Sequence, residues 1–228
     1  MKTGSNGVVE GFTITGCSKT DGSNGAGVVS NGVTLLNNVV ITGNSTTGNY
    51  SGLWHTGGGP LTIRNSEIKN NTATTMSALS SVANQLKIYG LKVTGNTATG
   101  PIPFGNVGTV AHRGLSAHIV NLEISSNTVN GANVQGGGLN ISCDPGVRKV
   151  SIFGSKISNN TAVGTNNARG GGVSISSCSV DLVSTEVSGN VLTHTGGTSQ
   201  GGGFYTSTSA RDVRMFAGST ITGNTADS

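Results

Sequence analysis

Three residue classes in this sequence could carry acid–base, nucleophilic or metal chemistry: nine Asp and Glu, four His and three Cys. Glycoside hydrolysis or lyase chemistry needs carboxylates clustered at one exposed place, or an Asp group beside Arg or Lys. The best candidates are Asp181, Arg214 and Asp212. Asp181 lies between Val180 and Leu182, and Arg214 holds the matching place between Val213 and Met215, so this pair reads as a surface ion pair before it reads as a catalytic couple. Asp144 belongs to Asp144-Pro145-Gly146, which is turn chemistry. His55 and His112 stand two residues after Leu53 and Val110, with Ser81 at the equivalent place between them. That separation is roughly 9 to 10 Å in a stack of strands, too far for one metal ion. His118 and His194 have no equivalent partner, and all four His read as surface or packing residues. The Cys residues show no CxxC or Cys/His spacing, so neither a metal nor a cofactor is expected. A disulfide is open between Cys143 and Cys178, and Cys17 reads as a buried free thiol.

The equivalences used above come from an internal repeat. A pattern of apolar residue, Thr, Ser or Lys, any residue, then Asn recurs as Ile41-Thr42-Gly43-Asn44, with the same unit ending at Asn71, Asn96, Asn127, Asn160, Asn190 and Asn224. Ile14-Thr15-Gly16-Cys17 is an eighth copy with Cys in the Asn place, and the copies follow one another at intervals of about 30 residues. Each period also carries a Gly-rich segment that turns apolar, such as Gly172-Val173, and a segment alternating apolar and polar residues. The alternating pairs are Val33-x-Leu35, Leu61-x-Ile63, Leu86-x-Ile88, Ala117-x-Ile119, Val150-x-Ile152, Val180-x-Leu182 and Val213-x-Met215. Period-2 runs of β-branched residues separated by Gly, Asn and Ser predict short strands. Three strands per period predict an all-β, parallel β-helix of about eight rungs, as one domain over residues 1–228. A propeller blade would need a longer period with four strands, and the leucine-rich consensus is missing.

Stacking predicts columns. The seven Asn fall at one turn, where each amide can donate to one neighbouring rung and accept from the other. The column just before the apolar residue reads Glu67, Lys92, Glu123, Lys156, Glu186 in its middle, a charge ladder whose exposed pairs are each expected to contribute about 0.2 to 1 kcal/mol. Trp54 and Tyr205 share another column with Asn140 and Ser174 between them, which is wide for a single sugar-stacking platform. Sequons at Asn44, Asn49, Asn70, Asn140 and Asn159 are of the kind that Asn- and Thr-rich sequence generates by chance. Thr13-Ile14-Thr15 and Thr220-Ile221-Thr222 match an ice-binding Thr-x-Thr face, but the rungs from Glu67 to Glu186 interrupt it.

Composition agrees with a solenoid. Gly supplies 38 of 228 residues, charged residues only 10%, and the net charge of +4 is scattered without a basic run, so no nucleic-acid partner is expected. No apolar run is long enough for a membrane span, and Met1 to Gly7 contain no apolar signal core.

The Ile-Thr-Gly-Asn-Thr-Ala unit at 221–226 and the Gly-Gly-Gly-Val unit at 170–173 resemble the repeats of polymorphic outer membrane proteins, autotransporter passengers and other right-handed β-helix repeat proteins. The resemblance implies an extracellular or cell-surface location and a non-enzymatic role as structural scaffold, filament component or adhesin, with glycans or a host surface as partners. The sequence also stops immediately after an Asn turn and starts without a polar cap. Edges of that kind lead to an expectation of end-to-end self-association or of neighbouring repeats in a longer rod. The alternative from another class is a carbohydrate-active enzyme using Asp181, Arg214 or Asp212; ice binding is a minor alternative.

Overall fold

Gly, Asn and Ser break this chain into runs too short for a helix and well suited to strands that each turn a corner. The computed structural model describes residues 6–76, 78–100, 108–146, 149–207 and 212–227; Met1 to Ser5, part of the segment without an apolar signal core, lie outside it. The described residues contain strands and turns and no helix. All strand pairings run parallel, forming sheets of 13, nine and seven strands that we call the first, second and third sheets. The result is a parallel β-solenoid of about seven turns. One turn illustrates the path: Leu79–Ser81 lies in the third sheet, Gln85–Thr94 in the first and Thr97–Ala98 in the second.

The corner between the first and second sheets explains the repeated Asn. The residue before each ladder position adopts a left-handed backbone, from Gly16 and Gly43 through Asn70, Gly95, Ser126, Asn159 and Gly189 to Gly223, with φ between 54° and 69°. Gly takes that conformation freely and Asn tolerates it. The following Asn then points inward. The Asn44 backbone N–H and Nδ2 both donate to Asn71 Oδ1, at 3.0 and 2.9 Å, and Nδ2 also donates to the Ile14 carbonyl at 3.1 Å. The same three bonds recur at Asn71, Asn96, Asn127, Asn160 and Asn190, which donates to Asn224. The Cys17 N–H donates to Asn44 Oδ1 at 3.1 Å, as an Asn there would, but its thiol is half-buried, not buried as expected.

The Gly triplets answer to the same ladder. A Cβ on Gly172 or Gly203 would stand 2.7 or 2.5 Å from Nδ2 of Asn190 or Asn224, closer than side-chain atoms approach. Backbone therefore crosses the rod directly over the amides. Inside, Leu, Ile and Val columns form one continuous core from Val9 to Val187.

Register agrees with the expected alternation except in one rung. Thr34 pairs with Leu61 and Leu36 with Ile63, so Thr34 and Leu36 face inward and Val33 is 51% exposed. The expected pair was Val33 and Leu35. Two adjacent leucines make local alternation ambiguous, and a one-residue slip flips every side chain; the buried Val39 and Ile41 downstream settle the face.

Candidate binding groove on the third sheet

Strands of the third sheet point their first and third residues inward and their middle residue outward, which is why small middle residues matter. In register, the outward column reads Val29, Trp54, Ser80, Ala111, Asn140, Ser174, Tyr205. The four central members are small or medium-sized and the aromatic members flank them, so the sheet carries a trough parallel to the rod axis. Trp54 and Tyr205 are five rungs apart, roughly 24 Å. Within the trough lies a cavity of about 340 Å³, lined among others by Tyr50, Ser80, Ala111, Arg113 and Asn140.

One wall is aromatic. Tyr50 stacks on Trp54 with ring centroids 4.9 Å apart and planes 16° from parallel. Its backbone is left-handed, with φ of 66°, a conformation that costs energy in a bulky residue and concentrates at functional sites. Burial pushes its phenol above the ordinary value, and Ser80 hydrogen-bonds to it. At the far end Arg169 lies 5.3 Å from the Tyr205 ring centre and its Nε donates to Gln200 Oε1. On the rim Arg113 Nε donates to Asp144 Oδ1 at 2.8 Å.

The floor is the unusual part. Asn140 is 3% exposed and Ser174 is 1% exposed, yet among the described residues Asn140 Oδ1 and Ser174 Oγ have no hydrogen-bond partner; a third such atom, Thr34 Oγ1, lies inside the first sheet. Buried polar atoms are nearly always partnered, and of the three only Asn140 lines the cavity, so its carbonyl oxygen is the one placed for a ligand.

Behind the floor the inward column is polar in its first half: Ser30, His55, Ser81, His112. Both imidazoles are core groups, not surface ones. His55 Nε2 faces the Gly59 carbonyl at 3.0 Å and His112 Nε2 the Ser116 carbonyl at 3.3 Å. Carbonyls only accept, so each Nε2 carries the proton and each Nδ1 accepts, from Ser30 Oγ at 2.8 Å and Ser81 Oγ at 3.4 Å. Burial lowers His55 below its ordinary range and brings His112 down to about 4. These Ser–His pairs have no carboxylate behind them and serve as internal hydrogen bonds.

The acids singled out from sequence lie elsewhere. Asp181 is on the first sheet, held by Arg214 through bonds of 2.8 and 3.1 Å and approached by Lys149 at 3.7 Å. Asp212 is exposed, just before Arg214 in the chain. None of Asp181, Arg214 and Asp212 lines the groove. The charge ladder has the expected register from Glu67 to Glu186, but its contacts are selective. Lys92 meets Glu123 at 3.7 Å and Lys156 meets Glu186 at 3.2 Å, whereas Glu67 bonds to Lys69 of its own strand at 2.7 Å. Cys143 and Cys178 are disulfide-bonded across adjacent rungs. Asn44 and Asn140 are buried, so neither of those sequons can accept a glycan in the folded rod. Among the described residues no group of three or more His, Cys, Asp and Glu could hold a metal, and no helix is long and apolar enough to cross a membrane.

Comparison of the chain with protein-family models, curated proteins and solved structures returns no match. The resemblance to outer membrane and autotransporter repeats therefore rests on the repeat residues themselves. Tyr50 and the orphaned floor atoms are the site features that sequence reasoning missed. Tyr50 sits in a loop outside the repeated columns, and its nearness to Trp54 was the one available signal.

Proposed function

We propose that this protein is a non-enzymatic, extracellular or cell-surface β-solenoid that acts as a rigid scaffold and offers the third-sheet trough as an adhesive surface. The observation that carries the reading is the trough itself: a cavity with the unpartnered Asn140 carbonyl oxygen, beside the Tyr50/Trp54 wall, and with Asp144, the acid at its rim, already bonded to Arg113. Ser81 and His112 also line it, but the His112 Nε2–H is bonded to the Ser116 carbonyl and not to a carboxylate, which favours binding over acid–base chemistry. The Cys143–Cys178 disulfide supports an oxidising compartment. The test is attachment of labelled protein to surfaces coated with extracellular matrix, together with assays for new reducing ends or unsaturated products from polysaccharides. Saturable attachment with the polysaccharide left intact is expected. Product release that disappears in Asp181→Ala would overturn the reading in favour of the carbohydrate-active alternative.

The scaffold half of the proposal draws on the repeat itself: every sheet runs parallel along the rod, so neighbouring repeats or a second copy can continue it in the same register. Electron microscopy of native material is the check: rods longer than one chain are expected, and uniformly short, dispersed rods would sink this half.

A further inference from the structure

The trough also says what kind of molecule it fits. We infer that its ligand is a neutral oligosaccharide lying along the rod axis, stacked on the Tyr50/Trp54 pair at one end and reaching toward Tyr205 at the other; this rests on the adhesive reading above.

Each part of the trough asks for something a sugar chain supplies. Asn140 Oδ1 can only accept. A ligand that satisfies it must carry hydroxyl groups or similar donors. Aromatic faces at the ends take flat apolar surfaces, which the C–H faces of pyranose rings provide alongside their polar edges. At the cavity charge is already balanced, because Arg113 on the rim is paired with Asp144. Arg169 keeps its charge at the far end, where it lies over Tyr205 and bonds Gln200, so an acidic polymer would meet one cation there and, among the described residues, none free at the cavity.

Other occupants fit less well. An extended peptide is held through backbone bonds at a sheet edge, whereas the trough crosses the strands over their side chains. A lipid chain would leave Asn140 Oδ1 unsatisfied. The trough crosses several rungs spaced by about 4.8 Å, so a polymer lying along it can touch more than one rung, and affinity should grow with its length.

Trp54 is the only tryptophan in the chain, so its fluorescence reports binding at this site directly. The experiment titrates the whole protein with cello-, chito- and malto-oligosaccharides of one to six sugars, and with a sulfated or uronic-acid oligosaccharide of matched length, following Trp54 emission and heat of binding. At least one neutral series should bind saturably, tightening severalfold or more as sugars are added. Ala111→Phe, which fills the trough, should weaken binding at least tenfold. Asn140→Leu should weaken it about fivefold without lowering the melting temperature of the free protein, because an unpartnered carbonyl oxygen is removed; a merely structural asparagine would lose stability instead.

Saturable binding only to the acidic oligosaccharide would overturn the assignment, as would neutral binding that Ala111→Phe leaves unchanged. If Ala111→Phe abolishes surface attachment while no neutral oligosaccharide binds, the adhesive reading stands and the sugar assignment falls. If no surface and no oligosaccharide is bound, both fall.

Discussion

Acid should weaken this rod through His112, and the size of the effect can be worked from its surroundings. The imidazole is 4% exposed, its Nε2–H is bonded to the Ser116 carbonyl, and burial brings its pKa from 6.5 down to about 4, with His55 adding a smaller push the same way and Asp144 opposing it. A group whose folded pKa is depressed contributes its stability in full above the unfolded value and loses it as pH falls toward the folded one. The window here is therefore pH 6.5 down to about 4. The full loss is about 3 kcal/mol and the loss by pH 5 is about 2 kcal/mol, which for a chain of this size lowers the melting temperature by about 4 to 8 °C. The lowered carboxylates, Asp21 and Glu186, start from ordinary values of 3.8 and 4.5 and contribute mainly below this pH range. The variant to compare is His112→Ile, since Ile141 and Ile175 hold the same column on the next two rungs. Thermal unfolding followed by circular dichroism from pH 7.5 to 5 should show the wild type falling by several degrees more than the variant. His55, shifted in the same direction, leaves a remainder in both. Equal falls in the two proteins, or an NMR titration of His112 centred near 6.5, would refute the reasoning.

Three further substitutions probe the frame. Asn127→Ala should destabilise by about 3 to 5 kcal/mol, because the Asn96 backbone N–H loses its acceptor and the Asn96 Nδ2 loses one of its bonds while a cavity opens; hydrogen exchange should rise first in the rungs on either side. Replacing Cys143 and Cys178 together by Ser should cost about 3 to 4 kcal/mol, the value for opening a loop of 35 residues, read as a lower denaturant midpoint. Gly172→Ala should cost about 1 to 3 kcal/mol from overpacking against Asn190 and Val187, whereas Gly58→Ala, whose new Cβ meets its nearest neighbour at 3.6 Å, should change the melting temperature little.

Much of this architecture was legible because the solenoid repeats its corners. The Asn column could be read from spacing alone, since a left-handed Gly, Asn or Ser followed by an inward Asn is a local rule that each turn obeys. The charge column could be read too, because strands in parallel register place Lys92 beside Glu123 without any insertion between them. Where two apolar residues stood together, at Leu35 and Leu36, alternation lost its meaning and the face was fixed by residues further along the strand. The third sheet hid more. Its shortest strands are three residues long, too short to reveal which side faces in, so the burial of His55 and His112 could not be told from surface placement. The orphaned Asn140 and Ser174 atoms are a property of what surrounds them, and no residue pattern encodes that.

The Asn column has a direction. Each Asn from Asn44 to Asn190 accepts at its Oδ1 from the rung before it and sends its backbone N–H and an Nδ2–H to the Oδ1 of the rung after it; Cys17 donates into the column and Asn224 receives its last bonds. Its amide dipoles thus add along the axis, and each bond polarises the next. The column is therefore polar, with Asn224 at one end and, at the other, Cys17 in place of an amide. Two rods joined face to face by a two-fold axis would oppose like ends, so a contact that continues the parallel sheets must be head-to-tail, a heterologous association that propagates as a polar fibre and cannot close as a symmetric pair.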